Sequence, residues 1–215
     1  MRRFVLLALG ANSCGAFGTP LETLRNCCTL LKLNQISIEA FSSLYRTKPV
    51  GGGRQPSYLN AVVRIETELQ PAQLLRVLKR IERISGRRKR ALNSSRPLDI
   101  DILTFAYKIV GWPGTATRKM RGAGMSMRHA TDRPSGHRCP RPAARRGWLV
   151  LPHPELHLRP FVLEPLVEIA PDWFHPLLQQ TASQLLKRLP RAPGDVERTL
   201  DSNWYSCDIN NEVIV

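Results

Sequence analysis

Two carboxylates set two residues apart, Asp99 and Asp101, alternate with Leu98, Ile100 and Ile102 in the run Arg96-Pro97-Leu98-Asp99-Ile100-Asp101-Ile102-Leu103. Alternation with period two is the mark of a β-strand, in which successive side chains leave opposite faces. Both acids then share one face while the aliphatic residues meet a core. Like charges this close repel each other, and a hard divalent cation relieves the repulsion. Two carboxylates completed by substrate phosphates is a usual way to hold Mg2+. The alternative is a solvated outer face of an edge strand. The neighbouring cations speak for the metal. Gly86-Arg87-Arg88-Lys89-Arg90 lies just upstream, and Arg96 stands at the strand entrance. Guanidinium groups grip phosphate oxygens at two points. A nucleoside triphosphate with Mg2+ would fit between these cations and the acids. A basic loop that merely neutralises Asp99 and Asp101 by ion pairs is the alternative here.

A second cluster runs from Ser43-Leu44-Tyr45-Arg46-Thr47-Lys48-Pro49-Val50-Gly51 to Gln55-Pro56-Ser57-Tyr58-Leu59-Asn60. Tyr58 and Asn60 are two apart and share a strand face. An aromatic ring beside a side-chain amide can stack on a flat heterocycle and hydrogen-bond its edge. An ordinary half-buried tyrosine and a turn asparagine would look the same. A third cluster is Leu151-Pro152-His153-Pro154 with Arg159 and Phe161. Proline on both sides restricts the backbone around His153, which could donate to a phosphate oxygen or simply pack. His157 and His175 are weaker candidates. There is no G-x-x-x-x-G-K-[ST] loop and no kinase glycine-rich signature, so a nucleotide would be held without a P-loop.

The elements that must carry these residues can be read in order. Phe4 to Leu9 reads as a strand ending at Gly10. Thr19 reads as a helix N-cap, with Pro20 first and Glu22 third in a helix running to about Leu33. Ile36 to Tyr45 reads as a strand, Lys48 to Pro56 as a loop and Tyr58 to Glu66 as a third strand. Pro71 opens a second helix with Leu74, Leu75, Leu78 and Ile81 on the helical period, stopping at Gly86. Leu98 to Phe105 is the acid-bearing strand. Strand, helix, strand, strand, helix, strand predicts an α+β fold: a ferredoxin-like split βαβ antiparallel sheet with helices packed on one face. It does not match the strict strand–helix alternation of a Rossmann fold. Val162 to Ile169 reads as a short helix or strand-to-helix turn, and Thr181 to Leu189 as a last amphipathic helix.

From Ala106 to Trp148 the periodicity stops and Gly, Pro, Arg and Met dominate. Ten basic residues there face a single acid, Asp132, so this stretch carries most of the chain's net charge of +15. It lacks the apolar residues that would offset ordering entropy, and residues 106–148 are expected to be a disordered basic insertion. The expected organisation is one domain over 1–190, interrupted by that insertion, and a tail, 191–215, of unknown role. A chain of 215 residues, 42% of them hydrophobic, suffices for one buried core. The positive excess predicts polyanionic ligands. The cysteines (14, 27, 28, 139 and 207) are odd in number and show no C-x-x-C spacing, which suits reduced thiols in a cytoplasmic protein. The apolar run after Arg2-Arg3 is too short for a signal peptide, and no stretch is long enough to span a bilayer.

Together the clusters Y-R-T-x-P-x-G, Q-P-x-Y-L-N, R-x-L-D-I-D-I-L and L-P-H-P, with Leu9-Gly10-Ala11-Asn12, Ile81-Glu82 and Gly86-Arg87, resemble the 6-hydroxymethyl-7,8-dihydropterin pyrophosphokinases of folate synthesis. The resemblance covers most of residues 4–105 and 148–178. It implies ATP-dependent transfer of pyrophosphate to the hydroxymethyl group of 6-hydroxymethyl-7,8-dihydropterin, with release of AMP. ATP would be the co-substrate and two Mg2+ ions would be held by Asp99 and Asp101. Arg87, Lys89 and Arg96 would be the catalytic cations. Glu82, Arg87, Arg96, His153 and Arg159 would bind the nucleotide. Thr47, Val50, Tyr58, Asn60 and Phe161 would form the pterin pocket, with the ring between Tyr58 and Phe161. Asn93-Ser94-Ser95-Arg96 stands where the family often has tryptophan, and Lys48 where many members have proline.

Two other readings stand beside this one: a nucleic-acid-binding ferredoxin-like protein, suggested by the charge, and a catalytically silent relative of the enzyme. Expected partners are the small-molecule substrates ATP and a reduced pterin. No membrane is expected, nucleic acid only through the basic insertion, and the chain is expected to be a monomer.

Overall fold

The run Phe4-Val-Leu-Leu-Ala-Leu9 is apolar on both sides of its alternation, and in the computed structural model it becomes an interior strand of a sheet with helices on both faces. The structure describes residues 2–49, 55–88, 95–112, 149–190, 195–200 and 202–205. In chain order the elements are β1 (Arg3–Ala11), α1 (Pro20–Leu33), β2 (Ser37–Phe41), β3 (Leu44–Thr47), β4 (Tyr58–Thr67), α2 (Pro71–Ile84) and β5 (Asp99–Phe105). They are followed by α3 (Pro160–Ile169), β6 (Phe174–His175), β7 (Gln180–Thr181), α4 (Ala182–Arg188) and β8 (Val196–Leu200). The fold is α+β. The main sheet runs β5-β1-β4-β3-β8, with β2 also paired to β4, and every pairing is antiparallel.

The helix boundaries follow local chemistry. Thr19 and Glu22 form a capping box at the start of α1, with Pro20 next to the cap. Gly86 ends α2 with φ of +93°, a conformation that costs glycine nothing and an L side chain about 1 kcal/mol or more. The expected strand Ile36–Tyr45 is broken in two. Ser42 Oγ accepts from the Val62 amide at 2.9 Å and donates to the Ser43 carbonyl at 2.8 Å. This side chain competes with the ladder locally, so β2 and β3 pair with successive parts of β4.

Helices occupy both faces of the sheet, not one as the sequence predicts. Val5, Leu7 and Leu9 of β1, with Ile100 and Ile102, pack against Leu24 and Leu31 of α1 and Leu74, Leu78 and Ile81 of α2. On the opposite face Leu6, Val62 and Leu103 meet Leu163 and Leu166 of α3 and Leu185 of α4. An apolar residue at both phases of a strand demands cover on both sides. The helix α3 and its partner cover only part of that second face, and the open remainder becomes the site described below.

Two stretches without a sequence signal are built into the fold. Val110 bridges Leu151 through paired backbone hydrogen bonds, and buried Trp112 donates Nε1–H to the Pro152 carbonyl at 3.2 Å. These residues lie at the start of the expected insertion; residues 113–148, the greater part of it, lie outside the described residues. The tail returns to the sheet as β8, and Trp204 beyond it is 3% exposed in the core with Leu44 and Ile36. Cys27 and Cys28 are buried in α1, where desolvation pushes the Cys28 thiol up to about 12, so both act as small core residues. Cys139 and Cys207 lie outside the described residues.

His175, fully buried in the β6–β7 hairpin, sets a pH dependence. Its Nδ1 accepts from the Leu177 and Leu178 amides, and its Nε2 has no hydrogen-bond partner among the described residues. Burial, aided by His157 nearby, lowers its pKa from 6.5 to about 4. Between those pH values the unfolded chain takes up a proton that the folded chain refuses. Stability from this group is therefore complete above pH 6.5 and falls as pH drops toward 4, by about 3 kcal/mol in all. Denaturant titrations across that window should show the fall. In His175→Asn, whose side-chain oxygen can still accept from the two amides, the fall should be smaller by that amount.

Candidate active site

Strand register assembles the site. Asp99 lies opposite Gly10, Gly10 opposite Asn60, Asn60 opposite Tyr45 and Tyr45 opposite Arg198. Residues directly opposite share a face, so one row crosses five strands. Tyr58, Thr47 and Val196 form the row on one side of it, and Asp101, Ala8 and Val62 the row on the other. Above these rows lies a cavity of about 750 Å3, walled opposite the sheet by Leu158, Arg159, Pro160 and Phe161 at the start of α3. That volume suits a small-molecule site. Gly10 keeps the floor open between its two ends: a Cβ there would lie 3.0 Å from Asn60 Oδ1.

One end is charged. Asp99 is gripped by Arg87 at 2.5 Å and by Arg96 at 2.6 Å, one guanidinium on each oxygen. Burial alone would raise the Asp99 carboxyl, but the pull of Arg87 and Arg96 overcomes it and holds the group below the usual carboxylate range. Beneath them Glu82, 2% exposed, accepts from Lys79 Nζ at 2.7 Å and the Ile100 amide at 2.9 Å, and pairs with Arg87 at 2.5 Å. Burial raises the Glu82 pKa despite these partners. Glu82 thus ties α2, β5 and Arg87 together from below rather than lining the cavity. Arg87 and Arg88 also line a neighbouring cleft of about 460 Å3 that shares Arg96 with the main cavity.

Asp101 is held loosely, 3.8 Å from Arg159 and 3.9 Å from His153 Nε2. His153 Nδ1 accepts from the Glu155 amide at 3.2 Å, so the neutral ring carries its proton on Nε2, facing Asp101. Burial lowers the His153 pKa and outweighs Asp101, which favours the charged form. Arg159 is also tightly paired with Glu155, four residues earlier.

The other end is flat and less charged. Asn60 Nδ2 donates to Thr47 Oγ1 at 2.8 Å, and Tyr58 and Phe161 both line the cavity. Burial raises the Tyr58 pKa. Asn12 joins the two ends. Its Oδ1 accepts from the Arg96 amide at 2.7 Å, and its Nδ2 donates to Gln55 Oε1 and the Pro56 carbonyl, both at 3.3 Å.

The structure therefore gathers Arg87, Arg96, Asp99, Asp101, His153 and Arg159 around one end and Thr47, Tyr58, Asn60 and Phe161 around the other. Val50 and Lys89 lie outside the described residues. Sequence reasoning missed Asn12, Glu155, Asp195 and Val196. Glu155 lies before a single 3-10 turn and carries no sequence signal. The last two come from the tail and carry only the faint alternation Val196, Arg198, Leu200. Among the described residues no group of three or more His, Cys, Asp or Glu side chains forms a metal cage, and no helix is long and apolar enough to cross a membrane.

Comparison with known proteins assigns this architecture. A family model described as 7,8-dihydro-6-hydroxymethylpterin-pyrophosphokinase matches residues 6–171. The chain is 33% identical over 185 residues to a 2-amino-4-hydroxy-6-hydroxymethyldihydropteridine pyrophosphokinase of Haemophilus influenzae, spanning 85% of this chain and 90% of that one. It is 31% identical over 187 residues to the protein of the same description from Synechocystis, spanning 84% and 78%. Among solved structures, an HPPK-DHPS in complex with substrates superposes with a TM-score of 0.57 at 16% identity, over 87% of this chain and 43% of that one. Wild-type Plasmodium falciparum HPPK-DHPS gives 0.58 at 14% identity, over 87% and 45%. This chain spans less than half of those longer chains, and the likeness to them is one of fold. The family match and these relatives define a transferase. The chain belongs to the 7,8-dihydro-6-hydroxymethylpterin pyrophosphokinase family and is an enzyme of the pyrophosphokinase step of folate biosynthesis.

Proposed function

We propose that ATP and 6-hydroxymethyl-7,8-dihydropterin lie side by side on the floor built by β5, β1, β4 and β3. The observation that carries this reading is the row Asp99, Gly10, Asn60, flanked by Tyr58 and Thr47. It supports a polyphosphate at one end and a flat ring at the other, with a residue lacking a side chain between them. On this reading the hydroxymethyl oxygen attacks the β-phosphorus of ATP, the bond from that phosphorus to the oxygen bridging to the α-phosphate breaks, and AMP leaves.

The roles of the described residues follow from their settings, and those of Lys89 and Val50 from the family resemblance alone. Arg87, Lys89 and Arg96 neutralise the transferring phosphates. His153 donates its Nε2 proton to a phosphate oxygen, and Arg159 exchanges Glu155 for the triphosphate. Glu82 holds Arg87 in place from below. The ring stacks between Tyr58 and Phe161, with Asn60, Thr47 and Val50 at its edge. No general base is assigned, because a loose phosphoryl transition state depends on positioning and charge.

Asp99 and Asp101 suit Mg2+: their donors are hard oxygens, and two carboxylates completed by phosphate oxygens and water are a usual set for that ion. Two Mg2+ ions held there would supply charge neutralisation at the attacking and leaving oxygens. The order β5-β1-β4-β3 supports a ferredoxin-like reading of the first half of the chain. A monomer in the cytoplasm belongs to the same reading; reduced thiols at Cys14, Cys27 and Cys28 are in keeping with that setting.

Incubation of the chain with the pterin alcohol, ATP and Mg2+ should release AMP in step with pterin consumption. Formation of ADP, or no turnover, would overturn the proposal and leave a silent relative or a binding protein.

A further inference from the structure

The tail of the chain lies beyond the part that the family description matches, which ends at residue 171. The described part of the tail is nevertheless fixed to the fold. Val196 lies opposite Thr47, and Thr47 opposite Tyr58, so the three side chains stand in one row on one face. All three line the same cavity. From this register we infer that Val196 is a specificity-determining residue: it is the outer wall of the heterocycle end and limits what the ring can carry on the edge turned toward it. The inference rests on the placement of the pterin beside Thr47, Tyr58 and Asn60.

The wall is rigid. Arg198 Nε donates to Ser43 Oγ at 2.8 Å, and its guanidinium lies 3.6 Å from Glu168. Glu168, on α3, also accepts from the Ser43 amide and hydroxyl and from Tyr45. Thr199 Oγ1 donates to the Leu44 carbonyl at 3.2 Å. Downstream, Trp204 donates to the Ser42 carbonyl at 2.8 Å, and its own carbonyl accepts from Arg25 at 2.9 Å. Val196 is β-branched and apolar, so it presents a fixed surface with no hydrogen-bonding group. It therefore selects by shape, accepting a ring edge that bears only hydrogen and refusing one that bears an added alkyl group. The polar rim just outside it is Asp195, 3.9 Å from Lys48.

The test measures binding of the pterin alcohol in the presence of Mg2+ and a saturating non-hydrolysable ATP analogue, and binding of the analogue alone. Val196→Phe should weaken the pterin by about tenfold or more, the size expected for overfilling a fitted site. It should leave binding of the analogue and the thermal midpoint unchanged. Val196→Thr keeps the shape and should keep the affinity. Val196→Ala should bind a ring-alkylated pterin better than the unaltered chain does. Glu197→Phe, one residue on and on the opposite face, should bind the pterin normally. Normal pterin affinity in Val196→Phe, an equal loss in Glu197→Phe, or equal weakening of both ligands would overturn the inference. Failure of the unaltered chain to bind the pterin at all would overturn the proposed function with it.

Discussion

Asp101→Asn should lose turnover by about a hundredfold to a thousandfold while melting close to the unaltered chain. Asp101 is 34% exposed, and its two neighbours, Arg159 and His153, stand at 3.8 and 3.9 Å. Contacts that long at a half-open position contribute little to stability. The charge is therefore placed for something that enters the cavity. Asp99→Ala should lose activity as fully, with a different signature. Asp99 sits between Arg87 and Arg96 at 2.5 and 2.6 Å, and its removal leaves two guanidinium groups facing each other without the carboxylate that separates them. That variant should melt lower as well. Rates of AMP release and thermal midpoints of both variants decide the matter. Near-normal turnover in Asp101→Asn would remove the metal assignment, and an unchanged midpoint in Asp99→Ala would show that the arginine clamp is not structural.

The contrast between these two acids shows what a sequence can and cannot convey. The alternation Leu98, Asp99, Ile100, Asp101, Ile102 was enough to place both carboxylates on one face, because strand period is a local property. The same locality made α1 legible from Thr19, Pro20 and Glu22, and the end of α2 from Gly86. Which acid is clamped was not legible. It depends on Arg87 coming off α2 and on Glu82 holding it from beneath, both fixed by packing. Ser42 broke an expected strand because its hydroxyl found the Val62 amide twenty residues away. The second pair of helices went to the far face because Leu6, Val62 and Leu103 form a second apolar surface only once β1, β4 and β5 are side by side. Asn12 and Val196 entered the site by long-range register, which leaves at most a faint periodic trace.

The tail is the extreme case, and its contribution to stability should be large. Trp204→Ala should destabilise the chain by about 3–5 kcal/mol, the usual cost of deleting a buried large aromatic side chain. For a protein of this size the thermal midpoint should drop by roughly 10 °C. The indole meets Phe41 edge-on at 5.8 Å, and Phe41 in turn stacks on Tyr205 at 4.6 Å. Its loss would leave a cavity beneath β2 and β3 and strand the Ser42 carbonyl that accepts its Nε1–H. Trp204→Phe keeps most of the packing and forfeits that hydrogen bond, so it should cost less, about 1 kcal/mol for the bond and a little for lost volume. Because Trp204 lies just after the strand that carries Val196, Trp204→Ala should also raise the KM for the pterin more than that for ATP, which no general softening of the fold would do. A midpoint within a degree or two of the unaltered chain would mean that the C-terminal strand frays independently of the core, and Val196 could not then act as a rigid wall.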